Sequence, residues 1–320
     1  MNSSFVGEGA ALLAAFLWAA ATLMFGRLGK SISPLVLNIV KGLFAIAMMI
    51  VTLAFTSLLS SGSAAMPALP TQAVWLLIVS GAVGIGLGDT AYFSAINTLG
   101  ARRALLLETL APPMAAVMAW VFLSEQLAFG AIAGITITLT GVAWVISERV
   151  PGIAYQSTGA GVRVALLATF CQASGAVLSR AALAETTVSP LWSSFIRLFA
   201  GLVCMGVTAL VKPNYVESAS DREVRRHKEP TQWRAALLRL RSPKLLLAIA
   251  TASFFATYLG IWLQQIALKY AVTGVAQALL ATSPLFVLPM AVLLGDRINW
   301  RATVGALIAL SGVWILLLGG

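Results

Sequence analysis

The chain has 320 residues, of which 59% are hydrophobic and only 10% charged, with a formal net charge of +10. Soluble domains carry about 25% charged residues, so this composition excludes an ordinary water-solvated globule and predicts a chain solvated mostly by lipid. Nine of the 21 Lys and Arg residues lie between Lys212 and Lys244, and most of the others flank apolar runs. That distribution fits membrane topology and surface contact, not nucleic-acid binding.

A helix that crosses a bilayer needs about 20 apolar residues. The sequence divides into ten such runs, near 9–27, 34–56, 72–94, 101–123, 128–147, 160–179, 190–211, 244–268, 273–294 and 300–318. The first carries Trp18. Nothing basic precedes it and it is too long for a signal-peptide core, so no cleaved leader is expected. The Asn2-Ser3-Ser4 glycosylation pattern at the extreme terminus carries no weight.

The second run opens with Ser33-Pro34-Leu35 and contains Lys41. A charge near mid-bilayer costs about 2.5–3.5 kcal/mol on insertion scales. Lys41 therefore either snorkels to the headgroups or lines a polar cavity. The third run holds Gly84-Ile85-Gly86-Leu87-Gly88 followed by Asp89. With no strand before it, this is a poor phosphate loop. Gly84 and Gly88 instead give a small face for close helix packing, with Asp89 inward beside it, either functional or bonded to a neighbouring helix. In the fourth run Glu108 precedes Pro112-Pro113, which remove backbone donors and predict a kink. Glu108 is read either as a proton or amine site at that kink, or as a partner of Arg102 or Arg103.

The sixth and seventh runs bring Gln172, Arg197 and two cysteines, Cys171 and Cys204, which read as small core residues. Between the seventh and eighth runs, Trp233, Ala236, Leu237 and Leu240 share one helical face among arginines, predicting an interfacial helix on anionic lipid. The lone histidine, His227, reads as solvated. Tyr258, Trp262 and Gln265 share a face of the eighth run by i, i+4, i+7 spacing, and Gln277 adds an amide to the ninth. This stripe reads either as a lining for amphipathic or zwitterionic solutes or as plain helix packing. Glu125 and Asp296, at the ends of the fourth and ninth runs, read as helix-end contacts.

The two halves repeat. Ser189-Pro190-Leu191 leads to Arg197 as Ser33-Pro34-Leu35 leads to Lys41, and LLAAFLWAA resembles LLATFCQAS, aligning Trp18 with Gln172. Further on, one register aligns Pro113 with Pro284, Glu125 with Asp296, Gly134 with Gly305 and Gly141 with Gly312. The chain is read as two five-helix units, 1–150 and 151–320, the second including the basic loop 212–244. Five is odd, so the second unit inserts upside down. The expected fold is an all-α integral membrane protein of two inverted-topology repeats, a plan in which solute sites lie near the midplane between them. Lys41 and Arg197 then sit at equivalent depths, displaced toward opposite mouths.

With the Trp18-bearing first run, the SPL-to-basic pattern, GLGDTAYFSAINTLGARRA from Gly86, and the proline-bearing runs ending in LSEQL and LGDRI, the chain resembles the drug/metabolite transporter superfamily in its ten-span EamA-type branch. It departs in three places: Lys41 stands for the usual arginine, Leu123-Ser124-Glu125 for L-G-E, and the basic loop is unusually long. The resemblance implies a secondary transporter, working as an exporter, of small organic metabolites such as amino acids or amphipathic compounds. It places the protein in the cell inner or plasma membrane. Lys41, Arg197, Asp89, Glu108, Trp18, Gln172, Tyr258, Gln265 and Gln277 are the candidates for its solute or proton pathway. Two alternatives stay open: an exchanger of anionic metabolites, with Lys41 and Arg197 as ligands, and a non-transporting scaffold anchored through the basic loop.

No nucleophile–base pair, metal-ligand cluster or nucleotide motif is legible, so neither an enzyme nor a cofactor is expected. The partners expected are a small solute and the bilayer, with anionic lipid at 212–244; the oligomeric state is open, and a monomer suffices. Outside the long loop, eight basic residues flank the odd-numbered loops and two, Arg180 and Lys269, the even-numbered side. The positive-inside rule then places both termini outside the cytoplasm, the reverse of what the resemblance implies.

Overall fold

A computed structural model describes residues 3–28, 34–59, 69–99, 101–147, 159–184, 186–211, 243–293 and 300–319. The expected interfacial helix, His227, Asp296 and most of the basic loop lie outside them. In lipid every backbone polar group must be satisfied within its own segment, which leaves the helix as the solution for each apolar run. The first unit comprises α1 (Ser3–Leu28), α2 (Pro34–Leu59), α3 (Thr71–Ser80), a π-helical segment (Gly81–Gly88), α4 (Asp89–Leu99), α5 (Ala101–Glu108), α6 (Ala111–Leu123) and α7 (Phe129–Ser147). The second comprises α8 (Gly159–Leu183), α9 (Pro190–Val211), α10 (Pro243–Ser253), a π-helical segment (Phe254–Leu259), α11 (Gly260–Tyr270), α12 (Thr273–Leu280), α13 (Ser283–Leu293) and α14 (Trp300–Gly319). Ten spans are long and apolar enough to cross a membrane, and no strand occurs among the described residues.

The two units match element by element. In each, the third span is an α-helix that loosens into a π-helix and resumes for 11 residues as α4 or α11. The fourth span of each starts with an eight-residue helix, α5 or α12. It breaks at residues 109–110 or 281–282, just before Pro112-Pro113 or Pro284. The kink expected at Pro112-Pro113 is this break. A threonine bridges each gap: Thr109 Oγ1 donates to the Leu106 carbonyl at 2.7 Å and Thr282 Oγ1 to the Leu279 carbonyl at 2.6 Å.

Glycine contacts give the symmetry operator. A Cβ on Gly134 would stand 3.1 Å from the Gly312 carbonyl oxygen, and one on Gly141 would stand 2.6 Å from that of Gly305. Since Gly134 is equivalent to Gly305 and Gly141 to Gly312, one contact maps onto the other only by a two-fold rotation that reverses the chain direction. Gly7 against Tyr270 and Gly161 against Leu99 form a second such pair. These close approaches need residues without side chains, and the buried core is accordingly rich in alanine. The outward face carries the large apolar groups, with Leu58, Phe129, Leu210 and Leu293 more than four-fifths exposed to the surrounding lipid.

Candidate functional site

The third span builds the site. Gly81, Gly84, Gly86 and Gly88 are all buried and leave room for α8 and α9 to lie against its backbone. A Cβ on Gly84 would stand 3.3 Å from the Gly175 Cα, one on Gly86 would stand 2.6 Å from the Cys204 Cβ, and one on Gly81 would collide with the Arg197 carbonyl. The small face expected at Gly84 and Gly88 is this contact. The π-helical turn ends at Gly88, and α4 begins with Asp89, which is thereby placed among α2, α8 and α9.

Both carboxylate oxygens of Asp89 accept amide donors. Asn38 Nδ2 on α2 donates to Oδ2 at 3.1 Å, and Gln172 Nε2 on α8 to Oδ1 at 3.4 Å. Two cations act on the same carboxylate through space: Lys41, one turn beyond Asn38, and Arg197 on α9. Lys41 and Arg197 therefore converge on one acid from the two units, where the sequence placed them toward separate mouths. Glu108, at the end of α5, is hydrogen-bonded to Tyr92, one turn past Asp89, and its charge reaches Asp89. Among the described residues its hydrogen-bond partner is Tyr92. The result is a polar cluster of Asn38, Lys41, Asp89, Tyr92, Glu108, Gln172 and Arg197 inside an apolar bundle, drawn from both units.

Arg197 is 3% exposed, and its Nε and Nη1 have no hydrogen-bond partner among the described residues. Its guanidinium lies along the glycine face, so that a Cβ on Gly84 would be 3.5 Å from Nη2.

The other candidates are held elsewhere. The Trp18 indole donates to the Ala256 carbonyl at 2.8 Å and packs against Gly260. Tyr258 shares a 2.8 Å hydrogen bond with Thr52 and sits beside Trp262 in a cluster with Ala45, Met49 and Leu198. Gln265 is wholly buried and accepts a 2.8 Å hydrogen bond from Ser193, leaving its Nε2 without a partner among the described residues, as is that of Gln277. In this structure Tyr258 and Trp262 of the eighth span pack against α2 and α9. Asn38 and Tyr92 were not anticipated from the sequence. Each lies three residues from a charged candidate on the same helical face, and that spacing was a legible signal.

At the face bearing the short even-numbered loops, Arg180 on α8 donates through Nε to Glu125 Oε1 at 2.6 Å and through Nη1 to the Leu268 and Lys269 carbonyls at 2.9 and 2.6 Å. Glu125 Oε2 accepts the Thr273 backbone N–H at 2.9 Å. The reading of Glu125 as a helix-end contact fits this geometry. Separately, a cavity of about 680 Å³ lies between α1, α13 and α14, lined by Leu12, Phe286, Leu288, Leu310 and Val313. It is apolar and includes none of the clustered polar residues.

The EamA-like transporter family model matches this chain twice, over residues 5–147 and 159–318. A solved structure described as "Crystal structure of protein" aligns with 99% of this chain and 96% of its own, with a TM-score of 0.72 at 17% identity. At that identity the likeness is one of fold. No match was found among curated proteins.

Proposed function

The chain belongs to the EamA-like transporter family, and on that premise we propose that it is a secondary transporter, working as an exporter, of small organic metabolites such as amino acids or amphipathic compounds. The observation that carries this reading is the polar cluster around Asp89. It is assembled from α2, α4 and α5 of one unit and α8 and α9 of the other, so any rocking of one unit against the other remakes it. Buried charge in a bilayer is costly and marks ion or solute pathways. A scaffold needs none of it.

In this mechanism the two units alternate between exposing the cluster to either side, and Asp89 or Glu108 takes and releases the coupling proton. Asn38 and Gln172 orient the Asp89 carboxylate with their amide donors, and Tyr92 does the same for Glu108. The test is transport by full-length protein in proteoliposomes, with labelled solutes from a thermal-shift screen. Asp89→Asn and Glu108→Gln are expected to abolish accumulation driven by a proton gradient while leaving solute exchange measurable. If both variants accumulate solute like the parent, the carboxylates are structural.

A further inference from the structure

Arg197 presents a problem of charge that the rest of the cluster does not solve. It is among the most buried ionisable groups described, at 3% exposure, inside a span of an apolar bundle. A guanidinium so placed normally forms an ion pair or fills its donors with carbonyls, because an unpaired charge in a low-dielectric interior is strongly destabilising. Arg180, in the same protein, does both. Arg197 does neither: it makes no ion pair among the described residues, and Nε and Nη1 donate to nothing among them. Asp89 does not take those donors: its Oδ1 and Oδ2 accept the amides of Gln172 and Asn38, with acceptor capacity left over. The carboxylate lowers the electrostatic cost of Arg197 from a distance and leaves its hydrogen bonds unspent.

We propose that Arg197 is the anion-binding residue of the solute site, so that the transported molecule carries a compact oxyanion group, a carboxylate or a phosphate, that docks on its free guanidinium donors. This rests on the transporter reading above and names the substrate class for it. Oxyanions match the planar donor array of arginine, and their bonds to it are charge-assisted. The location fits as well. A Cβ on Gly84 would stand 3.5 Å from Nη2, so a glycine there leaves that edge of the guanidinium uncovered by a side chain, and Lys41 adds a second positive charge acting on the neighbouring Asp89. Asp89 then faces the remainder of the solute and suits an amine or hydroxyl there, which favours zwitterions and hydroxy acids over simple anions.

The experiment is a thermal-stability series on the full-length protein in nanodiscs. The probes are glycine, lactate, succinate, glycerol 3-phosphate, inorganic phosphate, and the non-anionic controls glycerol and ethanolamine. At least one oxyanion probe is expected to raise the melting temperature saturably, by about 3 °C or more at saturation, while both controls do not. Carboxylate and phosphate arms distinguish the two oxyanion sources. In Arg197→Met the apparent affinity is expected to fall at least about 30-fold, with Arg197→Lys intermediate. The unliganded Arg197→Met protein is expected to melt no lower than the parent, because it loses an unpaired buried charge, whereas a structural arginine would cost stability on removal. Should Arg197→Met fail to fold, protection of the native guanidinium from butanedione by the same probes replaces it. The proposal is overturned if no oxyanion stabilises the parent, or if oxyanions stabilise Arg197→Met equally. Proteoliposome flux separates the two readings: a neutral or cationic solute moved independently of Arg197 sinks the subsite and leaves the transporter, whereas an oxyanion that binds through Arg197 and is never moved does the reverse.

Discussion

Truncating Glu125 should open the even-loop face of the bundle. Its two oxygens hold Arg180 on α8 at 2.6 Å and the first N–H of α12 at 2.9 Å, while Arg180 itself takes two carbonyls in the last turn of α11, those of Leu268 and Lys269. One pair thus ties the ends of four spans. The two side chains are 12% and 17% exposed, between the surface case, worth about 0–1 kcal/mol, and the fully buried case, where removing one partner costs about 3–5 kcal/mol. A hydrogen bond to a charged group contributes about 1.5–3 kcal/mol, and Glu125→Ala breaks one to Arg180 and leaves the Thr273 N–H without its acceptor. Together these give an expected loss of about 2–4 kcal/mol, discounted for the residual exposure. Glu125→Gln keeps an acceptor for Thr273 and a neutral bond to Arg180, and should cost about half as much. The assay is thermal or SDS-titration unfolding of purified protein, closed as a cycle with Arg180→Ala. The same variants should speed thiol labelling of Cys171, which is 5% exposed and packs over Gly88, in a Cys204→Ser background. A loss under about 0.5 kcal/mol for both single variants, with no coupling between them, would refute the clamp.

Ser124 closes α6 with φ of 55°, the one positive value outside glycine among the described residues, so Ser124→Gly should stabilise by up to about 1 kcal/mol, read as a raised melting temperature. Gly141→Ala should destabilise by about 1–3 kcal/mol, since its Cβ would strike Ala309 and stand 2.6 Å from the Gly305 carbonyl, whereas Gly206→Ala meets nothing within 4 Å and should be neutral or better. Lys41→Met should express and insert normally yet lose most transport, and normal flux would return Lys41 to the role of a snorkelled anchor. A cysteine at Ser220 should resist an impermeant thiol reagent in intact cells and react after lysis, if the charge bias rightly places the basic loop in the cytoplasm.

Much of the architecture was legible because a bilayer allows few solutions. Apolar runs of the right length had to be helices, the odd number of spans per unit had to invert the repeat, and Pro112-Pro113 had to break the fourth span. Pairings inside the bundle were less accessible. That Glu108 meets Tyr92 depends on the rotation of α5 ahead of the break, which no local pattern specifies. The π-helical segments carry no signature either: Gly81–Gly88 is glycine-rich and Phe254–Leu259 is aromatic, yet both units loosen at the same place. What they share is position rather than composition, one turn type inserted just ahead of the residue that meets the opposite unit.

That residue is where the symmetry of fold parts from the symmetry of chemistry. After its π segment the first unit places Asp89, and the second places Gly260. Against Asp89 lies Gln172, and against Gly260 lies Trp18, its equivalent in the other unit. The same two slots therefore hold a carboxylate with its amide donor in one half, and a bare backbone covered by an indole in the other. Trp18 cannot be exchanged for a small residue without exposing the Ala256 carbonyl to which it donates, and Gly260 cannot carry a side chain without striking the indole. The pair Trp18–Gly260 closes the second slot with a neutral plug. It follows that the charged machinery of Lys41, Asp89 and Arg197 is gathered at one slot, even though both units contribute to it. In the proposed mechanism the inverted repeat supplies two equivalent states of the scaffold, while the single cluster gives the solute one place to bind in both of them.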